Sequence, residues 1–286
     1  MTSLGSMHQP STRVILLLDL DCFYAQCETV RLSLDPSLPL CLLQWNSALA
    51  VNYPAREQFN LKRGASFESI REQSNGKCVA LHLPVVCTAD LQKISEDDNE
   101  DSVEMAYERE FNLPQNEKNE LFRKERNKMR NPGEGKASLD RYRLASARIF
   151  EVMLEALEVH VGQGNFVLEK ASIDELYLDV TMHCHKFDVA AWKEEDESKT
   201  LEELASKETV ICAKDKVQME PDDEYRALRR GCIIARGLRR AVFDRVGFTL
   251  SAGVSTSKLV SKLCASYGKP DGQAVVFPSA ISYVSL

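Results

Sequence analysis

Two adjacent carboxylates, Asp174 and Glu175, interrupt a run of residues at 172–179 that otherwise favours a β-strand. Ionised neighbours are costly in a half-buried strand unless a cation lies against them. A second β-rich apolar run, at 14–18, also ends in an acid, Asp19. Two strands that bring these three carboxylates to one point would supply the oxygen ligands that Mg²⁺ prefers. The sequence therefore predicts a metal site, and two such ions can activate an attacking oxygen and stabilise a leaving pyrophosphate.

The acidic charge of the chain is concentrated in two segments. The 286 residues carry a formal net charge of −7, of which residues 94–136 contribute −4 and residues 186–224 contribute −7. The rest of the chain therefore carries +4, which is compatible with a polyanionic ligand. Because such dense charge opposes packing, we predict a mobile insertion at 94–136, with room for a helix at its basic end. We predict a second, acidic and structure-poor insertion at 186–222. Residues 1–12 are polar and are predicted to be disordered.

Composition excludes several classes of protein. A hydrophobic share of 44% is typical of a soluble globular chain, and the apolar run near the N-terminus is far too short to span a bilayer. That run follows a polar, uncharged start and ends in acids, which argues against a secretion signal. The nine cysteines are odd in number and form no CxxC pair, which favours reduced thiols in an intracellular protein.

Hydrophobic periodicity predicts an α+β fold, in which helices lie over one mixed sheet. Asp21 stands between the first strand and the first helix and is predicted to cap that helix. The expected strands are 13–20, 40–44, 49–52, 79–83, 166–170, 172–180, 249–254 and 273–277. The expected helices are 22–32, a stretch around 53–59, and 67–73, 138–158, 223–246 and 258–267.

Four motifs in the chain resemble those of the Y-family translesion DNA polymerases, in the order and spacing of that family. They are DLDCFYAQ at 19–26, NYPAR at 52–56, SIDELYLD at 172–179 and SAGVSTSK at 251–258. One such block would be a weak signal, but four in order make chance agreement improbable. Within the family the chain is most similar to the eta branch, with the iota branch next. The resemblance covers about 13–92, 137–184 and 224–278, and the two acidic segments lie outside it.

The resemblance implies a fold and a division of the chain. The expected palm is a ferredoxin-like mixed sheet with helices on one face, formed by residues 13–30, 137–185 (with the catalytic hairpin) and 223–286. A small fingers subdomain is expected at 31–93. The thumb and little finger of the family are expected to be absent from this chain.

The resemblance also assigns the residues of the reaction centre. Asp19, Asp174 and Glu175 match the catalytic metal ligands, and the backbone carbonyl of Leu20 is expected to reach an ion. The alternative for the Asp174–Glu175 pair is a solvated hairpin edge. Tyr24 matches the steric gate, an aromatic ring where the 2′-OH of a ribonucleotide would lie, although a core aromatic would serve the fold equally well.

Nucleotide-binding positions follow from the same motifs. Tyr53 and Arg56 match residues that hold the β- and γ-phosphates, a task that suits the two-donor fork of arginine. Lys269 matches a second phosphate-binding position, for which a surface turn is the alternative. Arg63 matches the fingers arginine over the incoming nucleotide, and Asn60 occupies a bend where the family has glycine, which asparagine tolerates.

Three further positions complete the expected site. Cys22 and Phe23 are expected to contact the dNTP, and Gln44 is expected to contact the templating base. The run MHCH at 182–185 leaves open a second metal site, although two histidines beside a cysteine would splay apart in an extended loop.

The implied activity is template-directed DNA synthesis across damaged bases in the nucleus, with two Mg²⁺ ions, or Mn²⁺, as cofactors. The implied partners are a DNA primer–template and a dNTP, and no membrane. The sliding clamp and ubiquitin-linked proteins are expected of the family, but their binding motifs do not occur in this chain. Two alternatives remain. One is a catalytically weak or inactive palm that serves as a DNA-repair adaptor. The other is a nucleotide-cyclase-type palm, which the Tyr24 and Tyr53/Arg56 matches disfavour.

Overall fold

The computed structural model describes residues 12–86, 105, 108–185, 209–212 and 223–283. The prediction of disorder for residues 1–11 lies outside these residues, as do the parts of the predicted mobile insertion at 94–104 and 106–107 and of the predicted structure-poor insertion at 186–208 and 213–222. The chain divides into two compact units, the first comprising Met1–Asp21 and Ile149–Leu286 and the second Cys22–Arg148. No helix in the described part of the chain is long and apolar enough to cross a membrane.

The described part of the chain contains both strands and helices. The strands are β1 Ile15–Leu20, β2 Leu40–Gln44, β3 Ser47–Val51, β4 Val79–His82, β5 Val85–Val86, β6 Lys136–Ala137, β7 Val167–Lys170, β8 Glu175–Asp179, β9 Thr209–Ile211, β10 Leu250–Ser255 and β11 Gln273–Val275. The helices are α1 Phe23–Arg31, α2 Tyr53–Phe59, α3 Phe67–Gln73, α4 Gln115–Glu125, α5 Asp140–His160, α6 Thr181–His185, α7 Asp223–Val246 and α8 Lys258–Ala265.

The first unit is built on a six-stranded mixed sheet with the strand order β7-β8-β1-β10-β11-β9. β1 pairs antiparallel with both β8 and β10, whereas β10, β11 and β9 run parallel to one another. The four consecutive apolar residues of β1, 15–18, are all buried, as expected for a strand covered on both faces. The predicted mixed sheet and the predicted β7–β8 hairpin are therefore confirmed.

Helices cover both faces of this sheet, so the prediction that they lie on one face is wrong. A Cβ atom on Gly253 of β10 would lie 1.9 Å from the carbonyl oxygen of Ser261 in α8. A Cβ atom on Gly231 of α7 would lie 3.1 Å from the side chain of Val254. Gly253 and Val254 are consecutive strand residues and point to opposite faces. Periodicity identified the apolar side of each helix, but it carries no information on which sheet face that side covers.

A short strand lies within the second predicted insertion. The described residues 209–212 include β9, which pairs in parallel register with β11 at the edge of the sheet. Thr209 and Cys212 are buried. The prediction of an unstructured segment is therefore wrong for these residues, because a short apolar stretch is enough to add an edge strand even when its flanks are highly charged.

The close approach of α8 to β10 generates the first prediction. Gly253→Ala should lower the free energy of unfolding by about 3 kcal/mol, because its Cβ would collide with backbone atoms that cannot move independently of α8. Urea denaturation followed by circular dichroism measures the change. Gly133→Ala is the matched control, since its Cβ would meet no atom within 4 Å, and it should change stability by less than about 0.5 kcal/mol. Equal stabilities of the two variants would contradict the described packing.

The second unit contains a three-stranded sheet of order β3-β2-β4 and the two-stranded pair β5–β6. Its strands and helices α2 and α3 bury a common apolar core. This core is formed by Cys41, Leu43, Ala48, Val51, Ala55, Leu61, Ile70, Cys78 and Ala80. The unit also includes α1 and the first part of α5, which the sequence had placed with the palm.

The described part of the first predicted insertion is folded into this unit, which corrects the prediction of a mobile segment for residues 108–136. α4 occupies 115–125, slightly before the basic stretch in which a helix had been considered. Asn127 donates its backbone N–H to the carbonyl of Ala80 (2.6 Å), and its side-chain oxygen accepts the Ala80 N–H (3.0 Å). Met129 packs against the apolar core. The high density of charged residues in this segment led to the prediction of mobility, although a few residues are enough to anchor it.

A buried ionic cluster joins α1 to α5 in the second unit. Glu28 accepts hydrogen bonds from Arg31 (2.5 Å), Arg141 (3.2 Å) and the hydroxyl of Tyr142 (2.7 Å). The Glu28 and Arg31 side chains are each only 1% exposed. Burial acts to raise the pKa of Glu28, but the two arginines and the tyrosine outweigh it and lower that pKa to about 2. Cys27 lies close enough for its own pKa to be raised by burial and then by Glu28.

This cluster generates a prediction of pH dependence. The folded pKa of Glu28 is depressed, so its stabilising contribution is complete above its unfolded value near 4.5 and is lost as the pH falls from there towards 2. Glu28→Gln should cost about 3 kcal/mol at pH 7 and less at pH 3, because Arg31 and Arg141 lose their fully buried carboxylate partner. Urea denaturation across this pH range measures both. Glu72→Gln, an exposed glutamate of the same unit, should behave as wild type, and an identical loss in both variants would refute the assignment.

Candidate active site

Asp19 and Glu175 are direct cross-strand neighbours in the first unit. Asp19 of β1 stands opposite Glu175, the first residue of β8, in the antiparallel register. Side chains at such paired positions lie on the same face of a sheet. Asp174 precedes β8, and its carbonyl accepts the N–H of Leu20 (2.9 Å), so the strand pairing continues through the carboxylate pair. The two strands predicted to bring these acids together are therefore adjacent.

The charges of these acids influence one another. Burial raises the pKa of Asp19, and repulsion from Glu175 and Asp174 raises it further. The ammonium group of Lys269 lies 2.5 Å from Asp19 Oδ2 and opposes this shift through its hydrogen bond and its charge. A half-buried acid that is repelled by two other carboxylates is a place where a cation stabilises the fold.

Lysines supply that positive charge in the structure. Lys269 contacts Asp19, and the ammonium of Lys262 in α8 lies 2.9 Å and 3.1 Å from the two carboxylate oxygens of Glu175. The hydrogen bond that Lys262 donates to Glu175 raises the pKa of Lys262. Sequence reasoning assigned no role to Lys262. The signal that could have found it is its spacing of four residues from Lys258, which places both lysines on one side of α8.

The acids fit a divalent metal in chemistry but do not form a closed set of ligands. Among the described residues, no group of three or more histidine, cysteine, aspartate or glutamate side chains converges closely enough to hold a metal ion. Asp19 and Glu175 nevertheless offer hard oxygen donors on one face of the sheet, the type of ligand that Mg²⁺ prefers. The lysines neutralise the same oxygens that an ion would need.

Ser172 shapes the turn that carries the second acid. Its hydroxyl donates to Asp174 Oδ1 (2.5 Å) and accepts the N–H groups of Asp174 (3.2 Å) and Glu175 (3.0 Å). Such a local side-chain to backbone turn explains how two adjacent acids can begin a strand. In the described residues, the Asp174 carboxylate accepts its hydrogen bond from Ser172, which belongs to the same turn.

Asp21 does not cap α1, which corrects the prediction from the sequence. The N-cap residue is Cys22, in a left-handed conformation (φ 46°), and its side chain makes no cap hydrogen bond. Asp21 is 4% exposed and instead accepts hydrogen bonds from the Ser251 hydroxyl (2.7 Å) and the Asp271 N–H (2.8 Å). It therefore fixes the turn that follows Lys269.

Arg239 holds the same turn from α7. Its Nε donates to the carbonyl of Leu250 (3.0 Å), and a terminal nitrogen donates to the Asp271 carboxylate (2.9 Å) and to the Asp271 carbonyl. Arg239 is only 7% exposed, so these contacts are well shielded from water. Asp21 and Arg239 together hold the turn from which the Lys269 side chain extends to Asp19.

The two strongest nucleotide-binding candidates contact each other in the second unit. Asn52 caps α2 by accepting the N–H of Ala55 (3.0 Å), which places Tyr53 and Arg56 in the first turn of that helix. The Arg56 guanidinium lies 5.2 Å from the centre of the Tyr53 ring. Its Nε donates to the carbonyl of Val51 (2.8 Å), and Arg56 is an exposed residue.

The other candidates of this unit occupy turns and strand ends. Asn60 ends α2 with φ 52°, which confirms the left-handed bend predicted there. Arg63 is exposed and precedes Gly64, whose φ is 85°. Gln44 is exposed at the last position of β2.

Tyr24 lies at the start of α1 and is half-buried. Its ring meets the ring of Tyr142 edge to face, with 5.0 Å between the ring centres, and lies 5.5 Å from the ring of Phe23. Phe23 itself is only 2% exposed and belongs to the core. Tyr24 is thus supported by aromatic contacts, while part of its ring stays accessible.

The structure therefore groups the candidates by unit. The first unit holds Asp19, Leu20, Asp174, Glu175 and Lys269, and the second holds Cys22, Phe23, Tyr24, Gln44, Tyr53, Arg56 and Arg63.

The MHCH run lies in helix α6 rather than in an extended loop. His183 Nδ1 is within 3.2 Å of the carbonyl of Val161, and His185 Nε2 is within 2.7 Å of the carbonyl of Thr12. Burial raises the pKa of Cys184 and disfavours the thiolate that a metal would require. These side chains secure α6 to its surroundings.

Comparison with known proteins identifies the family. The sequence pattern of the impB/mucB/samB family, a UmuC-like group, matches residues 18–266, which is most of the chain. The chain belongs to this family. The resemblance to the Y-family polymerases that the four motifs indicated is confirmed.

The chain is similar to three curated proteins along nearly its whole length. N-acetyltransferase eso1 of Schizosaccharomyces pombe is 29% identical over 97% of the chain and 29% of its own length. DNA polymerase eta of Saccharomyces cerevisiae is 25% identical over 94% of the chain and 42% of its length. DNA polymerase iota of Homo sapiens is 25% identical over 96% of the chain and 28% of its length. The chain thus spans less than half the length of these relatives.

The Asp21 contacts generate a prediction about the lysine turn. Asp21→Ala should lower the free energy of unfolding by about 2 kcal/mol, because the fully buried Ser251 hydroxyl and the Asp271 N–H lose their acceptor. Hydrogen exchange should also become faster at residues 268–272. Asp244→Ala, at an exposed position of α7, should leave both measurements unchanged. A stability loss without faster exchange in the turn would show that Asp21 does not hold it.

Proposed function

We propose that this chain is the nucleotidyl-transfer region of a template-directed DNA polymerase of the translesion type, which adds dNTPs opposite damaged template bases. Membership of a family whose relatives include DNA polymerases eta and iota supports this at the level of the family. The observation that carries the proposal for this chain is the cross-strand pair of Asp19 and Glu175, with Asp174 beside it and Lys269 in contact.

Asp19, Asp174 and Glu175 are the proposed metal ligands and catalytic residues, together with the carbonyl of Leu20. Mg²⁺ ions, when bound, would supply activation of the primer 3′-OH and neutralise charge on the triphosphate. The chain's own contribution is to hold three carboxylates near one another, with Asp19 half-buried, so that repulsion from Glu175 and Asp174 favours a cation beside Asp19. Lys269 and Lys262 provide that compensation in the structure described here.

Lys269 is proposed to bind the triphosphate, as are Tyr53 and Arg56. Lys269 carries a single point charge, whereas Arg56 offers two parallel donors that match phosphate oxygens. The contact of Arg56 with Tyr53 and with the Val51 carbonyl limits the conformations of the guanidinium before a ligand binds, which lowers the entropy cost of binding.

Other side chains are proposed to recognise the sugar and the base. Tyr24 is the steric gate against the ribose 2′-OH, with Cys22 and Phe23 beside it at the start of α1. Arg63 leans over the incoming nucleotide, and Gln44 contacts the templating base. The proposed partners are a DNA primer–template and a dNTP in the nucleus, with a sliding clamp and ubiquitin-linked proteins as regulatory partners of the family type.

The alternative is a palm that has lost catalysis and serves DNA repair as an adaptor. The observation that favours it is the engagement of Asp19 and Glu175 by lysines, with no closed set of metal ligands in the described residues. The two proposals differ in one measurable property, which is Mg²⁺-dependent extension of a primer.

Asp174→Ala should abolish primer extension, to below about 1% of the wild-type rate, because it removes a proposed metal ligand. The fold should persist, since the described hydrogen bonds of the Asp174 carboxylate come from its own turn. The assay uses the protein at its natural length with a primer–template, dNTPs and Mg²⁺, and circular dichroism confirms folding.

Asp35→Ala is the matched control, because Asp35 is likewise an acid held by a serine two residues away (2.7 Å). It should extend primers at the wild-type rate. Retained extension by Asp174→Ala would exclude Asp174 as an essential ligand. Failure of the wild-type protein itself to extend primers would support the adaptor.

A further inference from the structure

Residues 108–131 form a segment that the four-motif resemblance does not cover, yet they are anchored to the second unit at several points. Asn127 completes the hydrogen bonding of Ala80 on β4, and Met129 enters the core. Lys118 of α4 donates to the hydroxyl of Ser33 just after α1 (3.0 Å). The segment is therefore fixed both to the sheet and beside α1.

Two acids of this segment reach the buried arginines behind α1. Glu125, the last residue of α4, lies 2.5 Å from Arg31. Glu110 lies 3.4 Å from Arg31 and 2.8 Å from Arg141. Both arginines are strongly buried, with side-chain exposures of 1% and 14%, whereas the two acids are about one-third exposed, at 34% for Glu110 and 32% for Glu125. The segment thus closes the outer side of the cluster.

The charges explain why this closure matters. The fully buried carboxylate of Glu28 contacts two arginines, Arg31 and Arg141, so those three residues alone would leave one positive charge uncompensated. An uncompensated buried charge is strongly destabilising. The partly exposed carboxylates of Glu110 and Glu125 supply the further negative charge. Without them, relief would require Arg31 or Arg141 to turn towards water and release Glu28.

The cluster is connected to Tyr24 by two contacts. The hydroxyl of Tyr142 donates to Glu28 (2.7 Å), and the Tyr142 ring supports the Tyr24 ring at 5.0 Å. Tyr24 and Glu28 also lie four residues apart on α1, on the same side of that helix. The contacts of Tyr142 with Glu28 and with Tyr24 therefore help to position the Tyr24 ring.

We propose that Glu110 and Glu125 are positioning residues for Tyr24, so that the segment at 108–131 sets how strictly this protein discriminates against ribonucleotides. The inference rests on the proposed function, in which Tyr24 is the steric gate. Neither acid touches the nucleotide in this proposal. They act by holding Arg31 and Arg141 on Glu28, which holds Tyr142 against Tyr24.

The test compares two double variants of the protein at its natural length. Glu110→Gln/Glu125→Gln removes both contacts to the arginines. Glu117→Gln/Glu120→Gln makes the same change in charge in the same segment, at exposed positions away from the cluster. For each, the ratio of kcat/KM for a dNTP to that for the matching rNTP is measured. Tyr24→Ala is the reference for a lost gate.

A misplaced positioning group can cost up to about 100-fold in an enzyme reaction. Because Tyr142 remains present, we expect the Glu110/Glu125 double variant to lower the dNTP-to-rNTP ratio by roughly 3- to 10-fold. Each single variant should have a smaller effect, and the Glu117/Glu120 control should stay within about twofold of wild type. Glu110→Asp/Glu125→Asp retains the charge and should restore most of the selectivity.

A second measurement does not require catalysis. Nitration by tetranitromethane, followed by peptide mass spectrometry, reports the accessibility of Tyr24 in the folded protein. Tyr24 should react faster in the Glu110/Glu125 double variant than in the control. If the double variant does not fold, the two single variants provide the same comparison, because each keeps one acid on Arg31.

The outcomes separate this inference from the proposed function. If Tyr24→Ala relaxes sugar selectivity but the Glu110/Glu125 variant matches its control in selectivity and nitration, the inference is overturned and the gate stands. If Tyr24→Ala leaves selectivity unchanged, the gate assignment fails and the inference fails with it. Loss of dNTP incorporation in Asp174→Ala tests the polymerase proposal independently of both.

Discussion

The pairing of β1 with β8 on one side and β10 on the other is the constraint on which the first unit depends. Because side chains alternate across a strand, this register places Asp19 and Glu175 on the face covered by α8 and turns Leu16 towards α7. A slip of one residue would bury Asp19 against the apolar face. The same register that buries the core therefore also aligns the carboxylates.

Compensation of shielded charge is the second principle of the structure. Asp19 meets Lys269, 250 residues away in the chain, and Glu28 meets Arg141, 113 residues away. In the first case the compensating group is one partly exposed lysine ammonium, which acts as a single point charge. In the second case the cluster is closed by arginines with fixed geometry, which suits a structural support.

Much of the fold followed from local pattern. The apolar run of β1, the β7–β8 hairpin and the bounds of α7 agree with the periodicity, because buried faces repeat every two or 3.6 residues. The left-handed bend at Asn60 followed from the tolerance of asparagine for that conformation. The prediction that Asp21 caps α1 was wrong, because an acid directly before a helix has the local pattern of a cap. Its actual partners, Ser251 and Asp271, are distant in the sequence and lie close to it only in the folded chain.

The sequence by itself determined most of the strands and helices, the family and the identity of the acids in the candidate site, but not β9 or α4. Only the tertiary structure decided which sheet face each helix covers, that Lys269 and Lys262 engage the carboxylates, and that α4 closes the cluster around Arg31. These features join residues that are far apart in the chain, such as Arg31 and Glu125 at a separation of 94. Periodicity reports only that a side chain is buried, and the partner that neutralises a buried charge is selected by proximity in the folded chain.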